Sequence, residues 1–115
     1  MIEVTIIEYL NEALDVPVWM EVPKGSDDPD EYVIVQKTGS GKSNFISHAT
    51  FALQSYGGSL YEALCLNEAV KTAMDNFITR NEISASRLNS DYNFTDTTTK
   101  KYRYQAVYDI TYKEE

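Results

Sequence analysis

One cysteine, one histidine, three prolines and a shortage of positive charge leave the chain without the materials for several kinds of chemistry. Cys65 stands alone and cannot close an internal disulfide, and no charged-then-apolar leader opens the chain, so nothing here points to secretion. A membrane helix needs roughly 20 consecutive apolar residues, and no run approaches that. His48 has no second histidine and no nearby cysteine with which to share a metal. It falls on the polar side of its predicted strand, so it reads as an exposed structural residue and not as a base. Cys65 lies opposite the apolar stripe of its predicted helix and lacks a basic partner, which leaves little to make it a nucleophile. Ten Lys and Arg against eighteen Asp and Glu give a net charge of −8. That field repels phosphate backbones and anionic membranes, which argues against a nucleic-acid reader while letting DNA pass an acidic wall unbound.

Tyrosine, by contrast, is plentiful. Nine tyrosines against four phenylalanines make an aromatic set with polar ends, a composition suited to contact surfaces. The 115 residues suffice for a single domain, 1–115, with one core. The most regular segment is Tyr102 to Tyr112. Tyr102, Tyr104, Ala106, Tyr108, Ile110 and Tyr112 share one side and Arg103, Gln105, Asp109 and Thr111 the other, the period of a half-buried strand. At roughly 3.3 Å per residue it crosses the whole domain, and such a strand is expected to serve packing and assembly.

Ile2, Ile6, Tyr9, Leu10, Ala13 and Leu14 predict a short N-terminal helix that Pro17 stops. Val16 to Val22 reads as a strand with Val18, Met20 and Val22 facing the core and Trp19 and Glu21 opposite, followed by the loop Lys24 to Glu31. Tyr32 to Lys37 reads as a second strand inside the sheet, with Gly39 and Gly41 marking its turn. Asn44 to Tyr56 is a third strand, with Phe45, Ala49, Phe51 and Leu53 on one face and His48, Thr50 and Gln54 on the other. Ser59 and Glu62 form a capping box. The stripe Leu60, Ala63, Leu66, Val70, Ala73, Met74, Phe77 and Ile78 then predicts a long helix to about Arg80. A fourth strand lies within Ile83 to Phe94, and the loop Thr95 to Lys101 leads into the final strand. The fold class is α+β, a mainly antiparallel sheet of about five strands with two helices on one face, in the order α-β-β-β-α-β-β.

Two segments imitate ligand sites. Gly39 to Ser43, Gly-Ser-Gly-Lys-Ser, matches the end of a phosphate-binding loop, but Gln36 stands where the motif needs its first glycine. The residues that follow alternate as a strand, so no helix N-terminus receives a phosphate. Asp91, Asn93 and Thr95 have the opening spacing of a calcium loop, yet Asp96 replaces the required Gly and Tyr102 the closing Glu. Asp27, Asp28, Asp30 and Glu31 lack the spacing of a rigid metal site and read as a solvated loop. No triad or carboxylate pair can be placed in a cleft. The chain is expected to be no enzyme and to need no metal or cofactor.

Glu31 to Asn44, Ala49 to Tyr56 leading into the capped helix, Arg87 to Phe94 and Tyr102 to Tyr112 together resemble the tail terminator, or tail completion, proteins of the head–tail joining region of long-tailed phages and prophages of Gram-positive bacteria. The resemblance rests on element order and on strand and turn wording over nearly the whole chain. It implies a homo-oligomeric ring, usually of six copies, that sits on the finished tail tube, stops its growth and docks the filled head. The implied partners are the major tail tube protein and a head-completion or neck protein, with DNA passing through the lumen. The implied location is the host cytoplasm during assembly and then the virion. Two other readings stay open: a neck or head-completion protein of the same region, and a monomeric acidic module that inhibits a basic host protein. As contact residues we expect Trp19, opposite the core side of its strand, and the projecting loops carrying Asp27, Asp28, Asp30 and Glu31 and carrying Asp96, Lys100 and Lys101.

Overall fold

In the computed structural model, which describes residues 1–25 and 29–113, helix α1 (Ile2–Ala13) leads into strands β1 (Val18–Trp19), β2 (Tyr32–Ser43) and β3 (Ile46–Gly57). Helix α2 (Leu60–Asp75), a 3-10 turn (Phe77–Thr79) and strands β4 (Ile83–Asn93) and β5 (Tyr102–Lys113) complete the chain. The sheet order is β1-β2-β3-β5-β4, antiparallel except for the short parallel pairing of β1 with β2. The fold is therefore α+β with the expected order of elements.

Both helices press on one face. Ile2, Ile6 and Leu10 recur at helical spacing and bury that side of α1, while Ala63, Leu66, Val70, Ala73 and Met74 do the same for α2. They meet Val33, Val35, Phe51, Leu53, Ala106, Tyr108 and Ile110, which alternation places on the same side of β2, β3 and β5. Helix α2 starts where Ser59 Oγ accepts the Glu62 amide at 3.1 Å. The reciprocal arm of that cap differs from expectation, because Glu62 Oε2 accepts from the Gly58 amide at 3.0 Å, one residue before Ser59.

Several expectations need correction. The first strand is two residues, not seven. Pro17 carries no N–H, and the Asn11 side chain occupies both the N–H and the C=O of Val18, each at 3.1 Å, so α1 takes the bonds a further strand would use and the pairing with β2 is confined to Val18 and Trp19. Met20 is consequently exposed instead of facing the core. The second strand runs on through Gly39 and Gly41 to Ser43. The register shifts between Lys37 and Gly39, a bulge at Thr38, and the turn falls on Asn44 and Phe45 with φ of 51° and 67°. Phe45 thus leaves the core face expected of it and stands 88% exposed at the hairpin tip.

Beyond its pairing with β1 at Val33 and Ile34, β2 is an edge strand. The long strand β5 is not an edge at all, because β3 and β4 pair with it along both sides. Leu60 and Ile78, assigned to the stripe of α2, are exposed: one lies in the first turn and the other beyond the helix in the 3-10 turn.

Candidate functional site

The sheet face turned away from the helices carries one continuous row of rings and one cation. Tyr32 pairs with Tyr56 across β2 and β3, Tyr56 pairs with Arg103 across β3 and β5, and the Phe94 amide donates to the Arg103 carbonyl at 2.9 Å. Alternation therefore aims all four side chains the same way. Tyr32 and Tyr56 stack with ring centroids 4.5 Å apart, and Trp19 extends the row onto β1 at 5.8 Å from Tyr32. The Arg103 guanidinium lies over Phe94 at 4.5 Å and Tyr56 at 5.7 Å. Its Nε donates to the Phe94 carbonyl at 2.7 Å and its Nη1 to the Tyr56 hydroxyl at 2.9 Å. Tyr92 meets Phe94 edge-on at 5.9 Å.

A second row runs beside the first. Gln54 Nε2 donates to Gln105 Oε1 at 2.9 Å, and Gln105 Nε2 donates to the Tyr92 hydroxyl at 2.6 Å. Arg103, Tyr56, Gln54, Gln105 and Tyr92 thus form one hydrogen-bonded network, closed by the Tyr56 hydroxyl donating to Gln54 Oε1 at 3.5 Å. What the arrangement offers is a rigid platform of rings and amides across all five strands, with Tyr92 and Phe94 exposed at one side. Rings of this kind supply contact area at little entropic cost on binding.

Arg103 is the clamp of that platform, since it joins β3, β4 and β5 through two directed hydrogen bonds and two ring faces. Arg103→Ala is expected to lower stability by about 2 kcal/mol. Arg103→Lys should recover less than half of that, because an ammonium cannot present the same fork to both oxygens. Urea titration of the two variants checks this.

The other polar cluster lies beneath α2. Lys71 pairs with Asp91 at 2.9 Å and Glu68 at 3.0 Å, and buried Asn67 donates to Asp91 at 2.9 Å. The hydrogen bond to Asp91, with that to Glu68 behind it, holds the Lys71 ammonium above its ordinary range, and the same bond draws the Asp91 carboxyl below its own. Burial, helped by the Asp75 carboxylate it donates to, pushes the Tyr108 hydroxyl well up. Each group is driven away from the neutral range that general acid–base work needs, so the cluster reads as support for α2.

The expected contact residues fall as follows. Trp19 is half-buried at the end of the ring row. Asp27 and Asp28 lie outside the described residues. Asp30 is exposed and Glu31 half-buried. Asp30, Lys100 and Lys101 come together around a hollow of about 230 Å³ whose walls are Tyr32, Tyr56 and Tyr102. Asp96 is tied to its own turn instead: Oδ1 accepts from the amides of Thr98 at 2.9 Å and Thr99 at 3.3 Å, which draws its carboxyl down.

Gly39 to Ser43 are strand residues paired with Thr50 to Ile46, not a phosphate loop. Asp91 is committed to Lys71, and Asn93 Oδ1 to the amide and hydroxyl of Thr95. His48 and Cys65 are exposed, as expected. Among the described residues no group of three or more His, Cys, Asp or Glu could hold a metal, and no helix is long and apolar enough to cross a membrane. Sequence reasoning missed Tyr32, Tyr56, Arg103, Phe94 and Tyr92 as one surface, although the polar side of the β5 alternation already held Arg103. The chain matches no protein-family model and no curated relative.

Proposed function

We propose that the chain is a structural protein that works by contact and transforms no substrate, and that its place is the head–tail junction of a long-tailed phage as a tail terminator. One observation carries the reading. A five-stranded sheet has both helices on one face, while the other is crossed by Trp19, Tyr32, Tyr56, Arg103 and Phe94 with no described element packed over it. A platform that locks its own polar groups together has nothing left to offer a reaction and much to offer another protein surface.

A ring on a tube end also needs two different lateral surfaces on each copy, since contacts around a ring are heterologous. The edge of β2 beyond Ile34 and the bulged edge of β4 differ in that way. In this reading copies of the chain form the ring in the host cytoplasm, one side of the ring meets the major tail tube protein, and the other meets a head-completion protein. The net charge of −8 per copy makes the lumen repel DNA, which favours passage over binding.

Electron microscopy of particles assembled without the gene tests the role. Overlong tails without heads are the expected result. Tails of normal, uniform length joined to heads would remove it, and normal-length tails without heads would move the protein to the neck.

A further inference from the structure

Phe45 is in the wrong conformation for its type and in the wrong place for its chemistry. Two-residue hairpin turns with positive φ at both positions favour Asn-Gly, and here Asn44 is followed by a phenylalanine at φ 67°. An aromatic residue held in the left-handed region is strained, and this one adds nothing to the core, being 88% exposed. Glycine would serve the fold better, so the ring is there for something outside it.

The far end of the same hairpin has a matching feature. Tyr32 and Tyr56, at the opposite end of β2 and β3 from Ser43 and Ile46, wall the hollow of about 230 Å³ together with Tyr102, Gly57 and Gly58. A cavity of roughly 150 Å³ accepts a benzene ring, so this hollow has volume enough for a phenyl side chain. Twelve strand residues separate the tip from the hollow, about 36 Å along a molecule whose long axis is 44 Å.

Charge is unevenly spread along the chain. Residues 32–61 contain Lys37 and Lys42 and no Asp or Glu, so this stretch carries +2 within a chain of −8 and the remainder carries −10. Lys37 is paired with Glu3 at 3.1 Å near the middle of the sheet, which leaves Lys42, and Lys113 opposite Ile46, as the basic groups near the tip. The hollow itself is lined by Asp30, Lys100 and Lys101, and the acidic recess beside it by Asp15, Asp30, Glu31 and Glu62.

We infer that Phe45 of one copy inserts into the Tyr32, Tyr56, Tyr102 hollow of the next, a head-to-tail contact with Lys42 turned toward the acidic recess beside that hollow. The inference rests on the self-assembling reading above and names the contact that it needs. A knob and a hollow on opposite ends form a heterologous pair, which gives a ring when successive copies turn enough to close and a filament when they do not.

Sedimentation of the full chain up to millimolar concentration, with Phe45→Gly, Tyr102→Ala and an equal mixture of the two, tests it. The wild type should self-associate, and each variant alone should do so roughly thirtyfold more weakly, the loss expected of an aromatic anchor. The mixture should give pairs and nothing larger, because only the intact hollow of the Phe45→Gly chain and the intact knob of the Tyr102→Ala chain can join. Phe45→Gly should meanwhile raise the melting temperature by about 4 °C, which a fold-supporting Phe45 would not allow.

A wild type that stays monomeric at millimolar concentration, a Phe45→Gly chain that associates like the wild type, or a mixture without pairs would each overturn the inference. So would a Phe45→Gly chain that still self-associates but no longer binds tail tubes, since the knob would then belong in another protein. The two proposals fail separately. Normal tails without the gene alongside the expected sedimentation keep the contact and remove the virion role, whereas overlong tails alongside unaltered Phe45→Gly association keep the role and remove the contact.

Discussion

Gly57→Ala is expected to destabilise the protein by about 3 kcal/mol, although it adds a single methyl group. A Cβ at Gly57 would stand 2.5 Å from the Ala63 amide nitrogen and 2.9 Å from the Glu62 carbonyl carbon. Both are backbone atoms in the first turn of α2, where no side chain can swing aside. The turn is held from two sides, by Ser59 Oγ on the Glu62 amide and by Glu62 Oε2 on the Gly58 amide, so relief of the clash breaks the cap as well. Gly57 also walls the hollow beside Tyr56, and self-association should weaken along with stability. Gly39→Ala and Gly41→Ala are the controls, because a Cβ at either meets open space. Urea titrations of the three variants should show a large loss at position 57 alone. A Gly57→Ala protein as stable as the wild type would mean that β3 and α2 do not approach in this way.

Asp91→Ala should cost about 2 kcal/mol near neutral pH, and much of that loss should vanish in acid. Asn67 is wholly buried, its Nδ2 donates to Asp91 and its Oδ1 has no partner among the described residues, so removing the carboxylate orphans the remaining half of the amide. Lys71 keeps Glu68 but loses its less exposed partner.

The pH dependence follows from the directions of the shifts. The Lys71 hydrogen bond draws Asp91 below its ordinary value of 3.8, so its stabilisation is complete above that value and disappears as pH falls through the lower folded value. Lys71 is raised above 10.5, so its share is complete below 10.5 and is lost only as pH climbs through the higher folded value. Both contributions are therefore present across the neutral range. Melting temperatures between pH 2 and 6 should fall more steeply below about pH 4 for the wild type than for Asp91→Ala, bringing the two curves together at the acid end. Parallel curves over that range would show that Asp91 does not carry its charge into the fold.

What could be read from the chain and what could not divide along sequence distance. The capped start of α2 and the alternation of β5 are local patterns, and both elements stand where expected. Gly39 and Gly41 misled because glycine is the usual turn residue, while the real turn spends strain on Phe45 and the glycines sit in the strand beyond its bulge. The length of β1 was hidden because Asn11, seven residues upstream, takes the bonds that a neighbouring strand would have used.

Trp19 was legible as the residue facing away from its core-side neighbour Val18. The row it belongs to was not, because Arg103 and Tyr56 are 47 residues apart and meet only through the insertion of β5 between β3 and β4. That insertion is a choice among strand orders that no alternation pattern encodes. It also explains why the long final strand, expected to serve packing and assembly, lies inside the sheet and leaves its open edges to β2 and β4.

Addition of the purified chain to polymerising tail tube protein tests the proposed terminator role most directly. Electron microscopy over time should then show tubes that stop lengthening once the chain is added, each with a ring of density on one end. Tubes that keep growing at the same rate, with bare ends, would contradict the account.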